Sequence, residues 1–326
     1  MKKLREDITS KINQYKWKYG LFLGCVIPNR YPMIEVSIRN VLNYLGVEIL
    51  DLRGASCCPA PGVFRAFHIP TWLVVAARNI SIAEELGVNP ITGCNGCYGT
   101  LRDVWYELNH KPELKKEVNN ELAKIGRFYK GNLQPKHIIE IFYLDMGLDY
   151  IRDRIKHKFT DLKVGVHYGC HILKPSDKRP WGGEYERPTF FDEIVELTGA
   201  KSVNYKDKYM CCGAGGGLRS AMKEVAADFT REELTNMRDA GVDIIVDCCP
   251  FCHMQLDLGQ LEVNNLYKDM IGEPFNIPVI YITQLLGLSF GFDPSLLGLI
   301  KTHKLQGVSP FISIDTFLSI VKKQLI

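Results

Sequence analysis

The chain carries one five-cysteine pattern twice, in the same order and at nearly the same spacing, and a pattern repeated in register constrains the architecture before any single element does. The first copy reads Cys25, 31 residues, Cys57 and Cys58, 35 residues, then Cys94-x-x-Cys97. The second reads Cys170, 40 residues, Cys211 and Cys212, 36 residues, then Cys249-x-x-Cys252. Ten of the eleven cysteines are used; Cys248 has no counterpart, because Gly93 holds that place in the first copy. A lone cysteine usually packs as a small buried hydrophobe. Ten in duplicate register call for one shared chemical reason.

The segments around the cysteines repeat as well. "YGLFLGC" (19–25) matches "LKVGVHYGC" (162–170), each an apolar run that predicts a buried strand ending in Gly-Cys. "SCCPAPGVF" (56–64) matches "MCCGAGGGL" (210–218); the helical stretches "AARNISIAEELGV" and "AADFTREELTNMRDAGV" follow, each stopping at a Gly before a short apolar strand. Those strands run into "ITGCNGCYGTL" (91–101) and "VDCCPFCHMQL" (246–256), and "HIIEIFYLDMGL" pairs with "VIYITQLLGL" further on. The copies span 20–150 and 162–292. Alternating strands and amphipathic helices predict a parallel α/β sheet in each copy, with the cysteine loops at the carboxyl ends of strands, where open α/β sheets place their sites.

A length of 326 residues suits two domains, set at 1–157 and 158–292, with a tail at 293–326. Residues 112–135 fall outside the alternation, and the tail has helical apolar spacing that suits packing on its own domain or docking on a partner. A net charge of +3 offers no nucleic-acid stripe. The start "MKKLREDITSKINQYKWKYG" has no secretory core, and apolar runs such as "WLVVAA" (72–77) are too short to span a membrane, so a cytoplasmic chain is expected. In a reducing compartment a disulfide framework is not expected, and five thiols per half cannot all pair.

Metal remains. A structural zinc site closes with four ligands and a cubane cluster takes four thiolates, whereas each copy supplies five. Two of the five sit on neighbouring residues with α-carbons about 3.8 Å apart, which suits a larger or opened iron-sulfur assembly whose irons are gripped separately. Zinc in one or both halves stays as the alternative. The small residues after each pair, Pro59-Ala60-Pro61-Gly62 and Gly213-Ala214-Gly215-Gly216-Gly217, let backbone approach an inorganic core and donate amides to its sulfur. The second loop lacks the Lys-Ser/Thr of a P-loop; its other reading is a flexible turn or phosphate cradle.

Through "FLGCVIPNRYP", "GASCCPAPGVF", "GCNGCYGTL", "VHYGCHILKPSD", "CCGAGGG" and "CCPFCHMQ", residues 19–292 resemble the cysteine-rich CCG domain family, and closely the B subunits of CoB-CoM heterodisulfide reductase. The resemblance implies two tandem Rossmann-like halves, each holding one noncubane 4Fe-4S cluster. The first cluster's ligands would be Cys25, Cys57, Cys58, Cys94 and Cys97; the second's Cys170, Cys211, Cys212, Cys249 and Cys252. It further implies reduction of the CoM-S-S-CoB disulfide between the two clusters, each sulfur being taken up by an iron before protonation releases CoM-SH and CoB-SH. Electrons would come from a ferredoxin-like C subunit, and ultimately from a flavin-containing A subunit. The sequence has no Cys-x-x-Cys-x-x-Cys-x3-Cys-Pro run, which fits a separate B subunit. Related CCG chains serve 2-hydroxy acid and other oxidations, so an electron-transfer subunit without this substrate is the rival reading.

CoM carries a sulfonate and CoB a carboxylate and a phosphate, so Arg30, Lys174 and Arg219, each a few residues after a cysteine, are the candidate anion contacts, solvated surface charge being the alternative for each. His171 and His253 directly follow ligand cysteines and are candidates to deliver protons or tune potential, or simply to hold a neighbouring group in place. His68 is a weaker one.

Overall fold

The computed structural model describes residues 15–182, 185–299 and 310–324. The charged leader therefore lies outside the described residues for positions 1–14, as do 300–309 of the tail.

The apolar runs form strands as expected. β1 (Trp17–Leu21), β2 (Val47–Asp51), β3 (Asn89–Thr92) and β4 (Lys136–His137) make a wholly parallel sheet in the order β2-β1-β3-β4. β5 (Lys163–His167), β6 (Lys201–Ser202), β7 (Ile244–Asp247) and β8 (Val279–Tyr281) repeat it as β6-β5-β7-β8. Every residue of β7 is buried, as a parallel strand covered by helices on both faces requires. In both sheets the strand order reverses beside the first strand of the copy, and a reversal of this kind opens a crevice at the carboxyl ends. The cysteines follow the three strands around that crevice: Cys25 after β1, Cys57 and Cys58 after β2, Cys94 after β3, and the same again after β5, β6 and β7.

The helix read from "AARNISIAEELGV" begins earlier than its periodicity indicated, at Ile69, because Pro70 stands in its first turn and the His68 side chain accepts the Thr71 amide as an N-cap. It ends where expected, Gly87 taking the left-handed conformation at φ +67°. Its counterpart is the helix Lys223–Asp239, stopped by Gly241 at φ +71°. The segment 112–135 adds a helix, Pro112–Ala123, which buries Val118 and Leu122 against the first copy. In the described part of the tail the helix Asp315–Gln324 buries Phe317 and Val321 in the main core, and the Asp257 carboxylate accepts the Phe311 and Ile312 amides.

The core does not stop between the copies. One hydrophobic cluster contains Ile34, Ile38 and Val41 of the first half together with Ile280, Leu285 and Leu288 of the second. The helix Pro32–Tyr44 lies on the helix Ile282–Ser289, where the Ser37 and Thr283 hydroxyls meet at 2.6 Å and Tyr44 packs on Phe290 and Phe292. Burying both partners of that hydroxyl pair satisfies each and fixes the register of the two helices. Among the described residues no helix is long and apolar enough to cross a membrane.

Candidate metal centre

Ten cysteines from the two sheets line one cavity of about 230 Å3. Each set arrives there because its three strands point the same way. Cys94 and Cys249 are the N-caps of helices of 16 and 17 residues; against burial, bonds from Cys252, Cys94 and the first-turn amides hold the Cys249 thiol low, while the bond to Cys249 pushes the Cys94 thiol up. Cys97 and Cys252 follow one turn on. The two halves meet through these helix ends, with Cys94 Sγ 4.0 Å from Cys249 Sγ, and in the second half Cys212 Sγ lies 3.4 Å from Cys252 Sγ. Cys25 and Cys57 are exposed while Cys58, Cys94, Cys97, Cys212, Cys249 and Cys252 are buried, so the cavity opens toward solvent on the Cys25 side.

Glycine keeps room for these sulfurs. A Cβ on Gly24 would stand 2.6 Å from Cys97 Sγ, and one on Gly169 would stand 2.6 Å from Asn95 Nδ2 and 3.2 Å from Cys252 Sγ, so the Gly-Cys ending of each copy's first strand is a steric demand of the cavity lining. Gly62 and Gly216 answer to a different neighbour. A Cβ on Gly62 would be 2.5 Å from Gly216 Cα, which means the two Cys-Cys loops abut backbone to backbone over the cavity. The small residues therefore admit the opposite loop as well as any inorganic core. An amide does reach sulfur here, with Gly213 N donating to Cys211 Sγ at 3.4 Å.

Within each set hydrogen bonds divide the thiols into donors and acceptors. A bond to Cys57, with burial, pushes the Cys25 thiol up, and a bond to Cys211 does the same to Cys170. Bonds from Cys57 and Cys97 hold Cys58 well below the usual thiol range, and bonds from Cys170 and Cys212 hold Cys211 down to about 2. A thiol held low is a thiolate at neutral pH, the form that binds metal.

The model of the cysteine-rich CCG domain matches residues 19–102 and 164–257. The chain is 50% identical over 291 residues to the B subunit of the "Ferredoxin/F(420)H(2)-dependent CoB-CoM heterodisulfide reductase" of Methanosarcina acetivorans, covering 89% of this chain and 95% of that one. It belongs to the CCG family, among the B subunits of heterodisulfide reductase. The B subunit of the "Ferredoxin:CoB-CoM heterodisulfide reductase" of Methanosarcina mazei is 48% identical over the same shares. Among solved structures, a hypothetical protein from Helicobacter pylori superposes with a TM-score of 0.68 at 14% identity, covering 91% of this chain and 56% of that one; it shares the fold.

The donor set suits the iron-sulfur chemistry of CCG proteins. Among the described residues the cavity lining has ten thiols and no carboxylate, and soft thiolates select iron-sulfur, zinc or Cu(I) over hard cations. Cys248 stands apart. It is fully buried off the lining, its Sγ facing Asn95 Oδ1 at 3.5 Å and the Tyr168 carbonyl at 3.8 Å. Gly93, its counterpart, is held to glycine by Tyr281, whose hydroxyl donates to the Gly93 carbonyl (2.5 Å) and the Cys248 carbonyl (3.0 Å) and would meet a Cβ at 2.6 Å. That tyrosine ties the CCG repeats together across the missing symmetry.

The other candidates separate. His171 lines the thiol cavity, its ring against Gly99, and burial with the nearby Arg179 guanidinium pushes its pKa down, leaving it neutral. His253 is turned away: its Nδ1 meets Asp247 Oδ2 at 2.8 Å and its ring packs edge-on against Tyr31. Arg30 and Arg219 come together in an adjoining cavity of about 430 Å3 that shares Phe251 with the first. Arg219 is bonded to Gln255 and Glu262; Arg30 has no ion-pair partner among the described residues. Lys174 is exposed and lines neither cavity, and His68 is occupied as a helix cap. Sequence reasoning missed Asn95, which lines the cavity and donates to the Tyr168 carbonyl at 2.8 Å, and the buried pair His167–Glu233 at 2.6 Å. For Asn95 the signal was present, inside Cys94-x-x-Cys97. For Glu233, far along the chain, there was none.

Proposed function

We propose that this chain is the subunit that reduces the mixed disulfide CoM-S-S-CoB to its two thiols. Cys25, Cys57, Cys58, Cys94 and Cys97 would hold one noncubane 4Fe-4S cluster, and Cys170, Cys211, Cys212, Cys249 and Cys252 the other. The observation that carries this reading is the convergence of both thiol sets on one cavity, with sulfurs of opposite halves 4.0 Å apart. When bound, two one-electron groups facing one space supply the electron pair that a disulfide needs.

The protein's own part is to bind, orient and exclude water. Phe251, Pro61, Leu23 and Val26 give the cavity apolar walls in which a disulfide sits without losing hydrogen bonds. Arg30, Arg219 and Lys223 in the adjoining cavity outnumber Glu262 there, so the acidic end of the substrate is drawn past Phe251 while its sulfurs stay among the thiols. His171, neutral and on the lining, would take up a proton at one ring nitrogen as it gives up the one on the other to a departing thiolate. A ferredoxin-like C subunit, itself supplied by a flavin-containing A subunit, would deliver electrons to a cytoplasmic complex. The repeat units would divide at 157/158.

The test is turnover. Anaerobically purified protein, reduced with benzyl viologen, should consume CoM-S-S-CoB faster than other disulfides, and CoM or CoB thiol with an oxidant should raise a thiol-dependent paramagnetic signal. Arg30→Ala should raise KM for the disulfide with less effect on kcat. Protein that carries iron and accepts electrons but turns over no disulfide and gives no such signal would be an electron-transfer subunit of a related oxidoreductase instead.

A further inference from the structure

The two thiol sets are built alike except at one position. Phe22 and His167 occupy matching places at the carboxyl ends of β1 and β5, three residues before Cys25 and Cys170. Their equivalence is visible in space: a Cβ on Gly24 would lie 2.6 Å from Cys97 Sγ and 3.8 Å from Phe22 Cε1, while one on Gly169 would lie 3.2 Å from Cys252 Sγ and 3.6 Å from His167 Nε2. Where the first half offers an aromatic C–H edge, the second offers a ring nitrogen.

That nitrogen has been aimed. His167 is fully buried, its Nδ1 fixed by Glu233 Oε1 at 2.6 Å, and Glu233 is also fully buried, with Tyr205 Oη 3.4 Å from the same oxygen. The helix position matching Glu233 is Asn79, whose amide accepts from Ser56 N at 3.0 Å and donates to the Cys57 carbonyl at 3.0 Å, so the first half has neither the ring nor its anchor. His167 Nε2 has no hydrogen-bond partner, a ring nitrogen of His167 lies within 4.8 Å of both Cys212 Sγ and Cys252 Sγ, and Nε2 and Cys252 Sγ lie 3.6 and 3.2 Å from the same Gly169 Cβ position. A metal-bound thiolate is an acceptor, and a buried ring nitrogen with only acceptors before it is satisfied by carrying hydrogen.

We infer that His167, anchored by Glu233, donates its Nε2–H to the adjacent ligand sulfurs of the Cys212–Cys252 pair and makes the metal group of the second half easier to reduce than that of the first. This rests on the reading that both thiol sets hold iron-sulfur groups. A hydrogen bond given to a ligand sulfur offsets the negative charge gained on reduction, and so raises the potential of the group it touches. The electron pair is then accepted unequally, the second half filling before the first. His167 is a positioning residue, acting through the Cys212 and Cys252 sulfurs.

Iron per chain and a potentiometric titration followed by paramagnetic resonance, both on the intact chain, test this. In His167→Phe, which copies the first half, one reduction step should move to lower potential and the other stay, with iron content unchanged; His167→Gln, which keeps an N–H donor, should recover part of the shift. A His167→Phe titration that overlays the parent's at full iron content overturns the inference. Loss of about half the iron in both variants overturns it too, since His167 would then be a ligand. Should the phenylalanine variant fail to fold, His167→Leu is judged by the same two outcomes. Parent protein without iron would sink the proposed function itself, and that measurement is made first.

Discussion

Cys94 Sγ and Cys249 Sγ, 155 residues apart in the chain, lie 4.0 Å from each other where two helix N-termini meet. The contact brings equivalent sulfurs of the two repeats together on the lining of one shared cavity.

Separate ligand sets predict separable losses. Parent protein should carry about eight irons per chain, two four-iron groups. Cys57→Ala or Cys211→Ala should each remove about half, while Cys248→Ala, off the cavity lining, should remove none. Metal analysis reads all three, and stoichiometric zinc in the parent would reassign a half to zinc.

The abutting loops predict a steric effect confined to one glycine. Gly62→Ala drives a methyl group into Gly216 backbone and should cost about 1–3 kcal/mol, the usual range for overpacking. Gly215→Ala, whose Cβ meets nothing within 4 Å, should stay within about 0.5 kcal/mol of the parent. Anaerobic thermal denaturation compares them; equal losses would mean that the loops do not meet.

Tyr281→Phe should destabilise the protein by about 1–3 kcal/mol while changing almost no volume, because it strips a donor from the buried Gly93 and Cys248 carbonyls. Gly93→Ala in the same background should be better tolerated than in the parent, since the hydroxyl it strikes is gone.

Acid should loosen the contact between Glu107 and Lys178, which joins the two halves at 2.5 Å. Burial pushes the Glu107 carboxyl up, but hydrogen bonds from the Lys111 and Lys178 ammoniums outweigh it and hold it down to about 2. A carboxyl whose folded pKa lies below its ordinary 4.5 adds stability above that ordinary value and loses it as pH falls toward about 2. The deficit of Glu107→Gln relative to the parent should accordingly be greatest near about pH 7 and narrow below about pH 4. A pH-independent difference would show that the lysines do not perturb this carboxyl.

The doubled architecture was legible because it rests on local rules written twice. Apolar runs of strand length, Gly-terminated helices and fixed cysteine spacings each repeat, so the parallel sheets and ten sulfurs at strand ends follow from short stretches such as 19–25 and 162–170. The tail left two readings, and its helical spacing did not disclose that Phe317 and Val321 enter the main core. What the amino-acid order did not disclose is everything that depends on how one repeat lies against the other: the meeting of Gly62 with Gly216, the reach of Tyr281 to Gly93, the gathering of Arg30 with Arg219 while Lys174 stays outside, and the burial of His253 against Tyr31. His167 and Glu233 belong to one repeat yet stand 66 residues apart, and their neighbours in sequence give no sign of the contact. Periodicity records which face of an element is apolar; which atoms of distant elements touch is settled only when those faces close on one another and every buried polar group must find a partner.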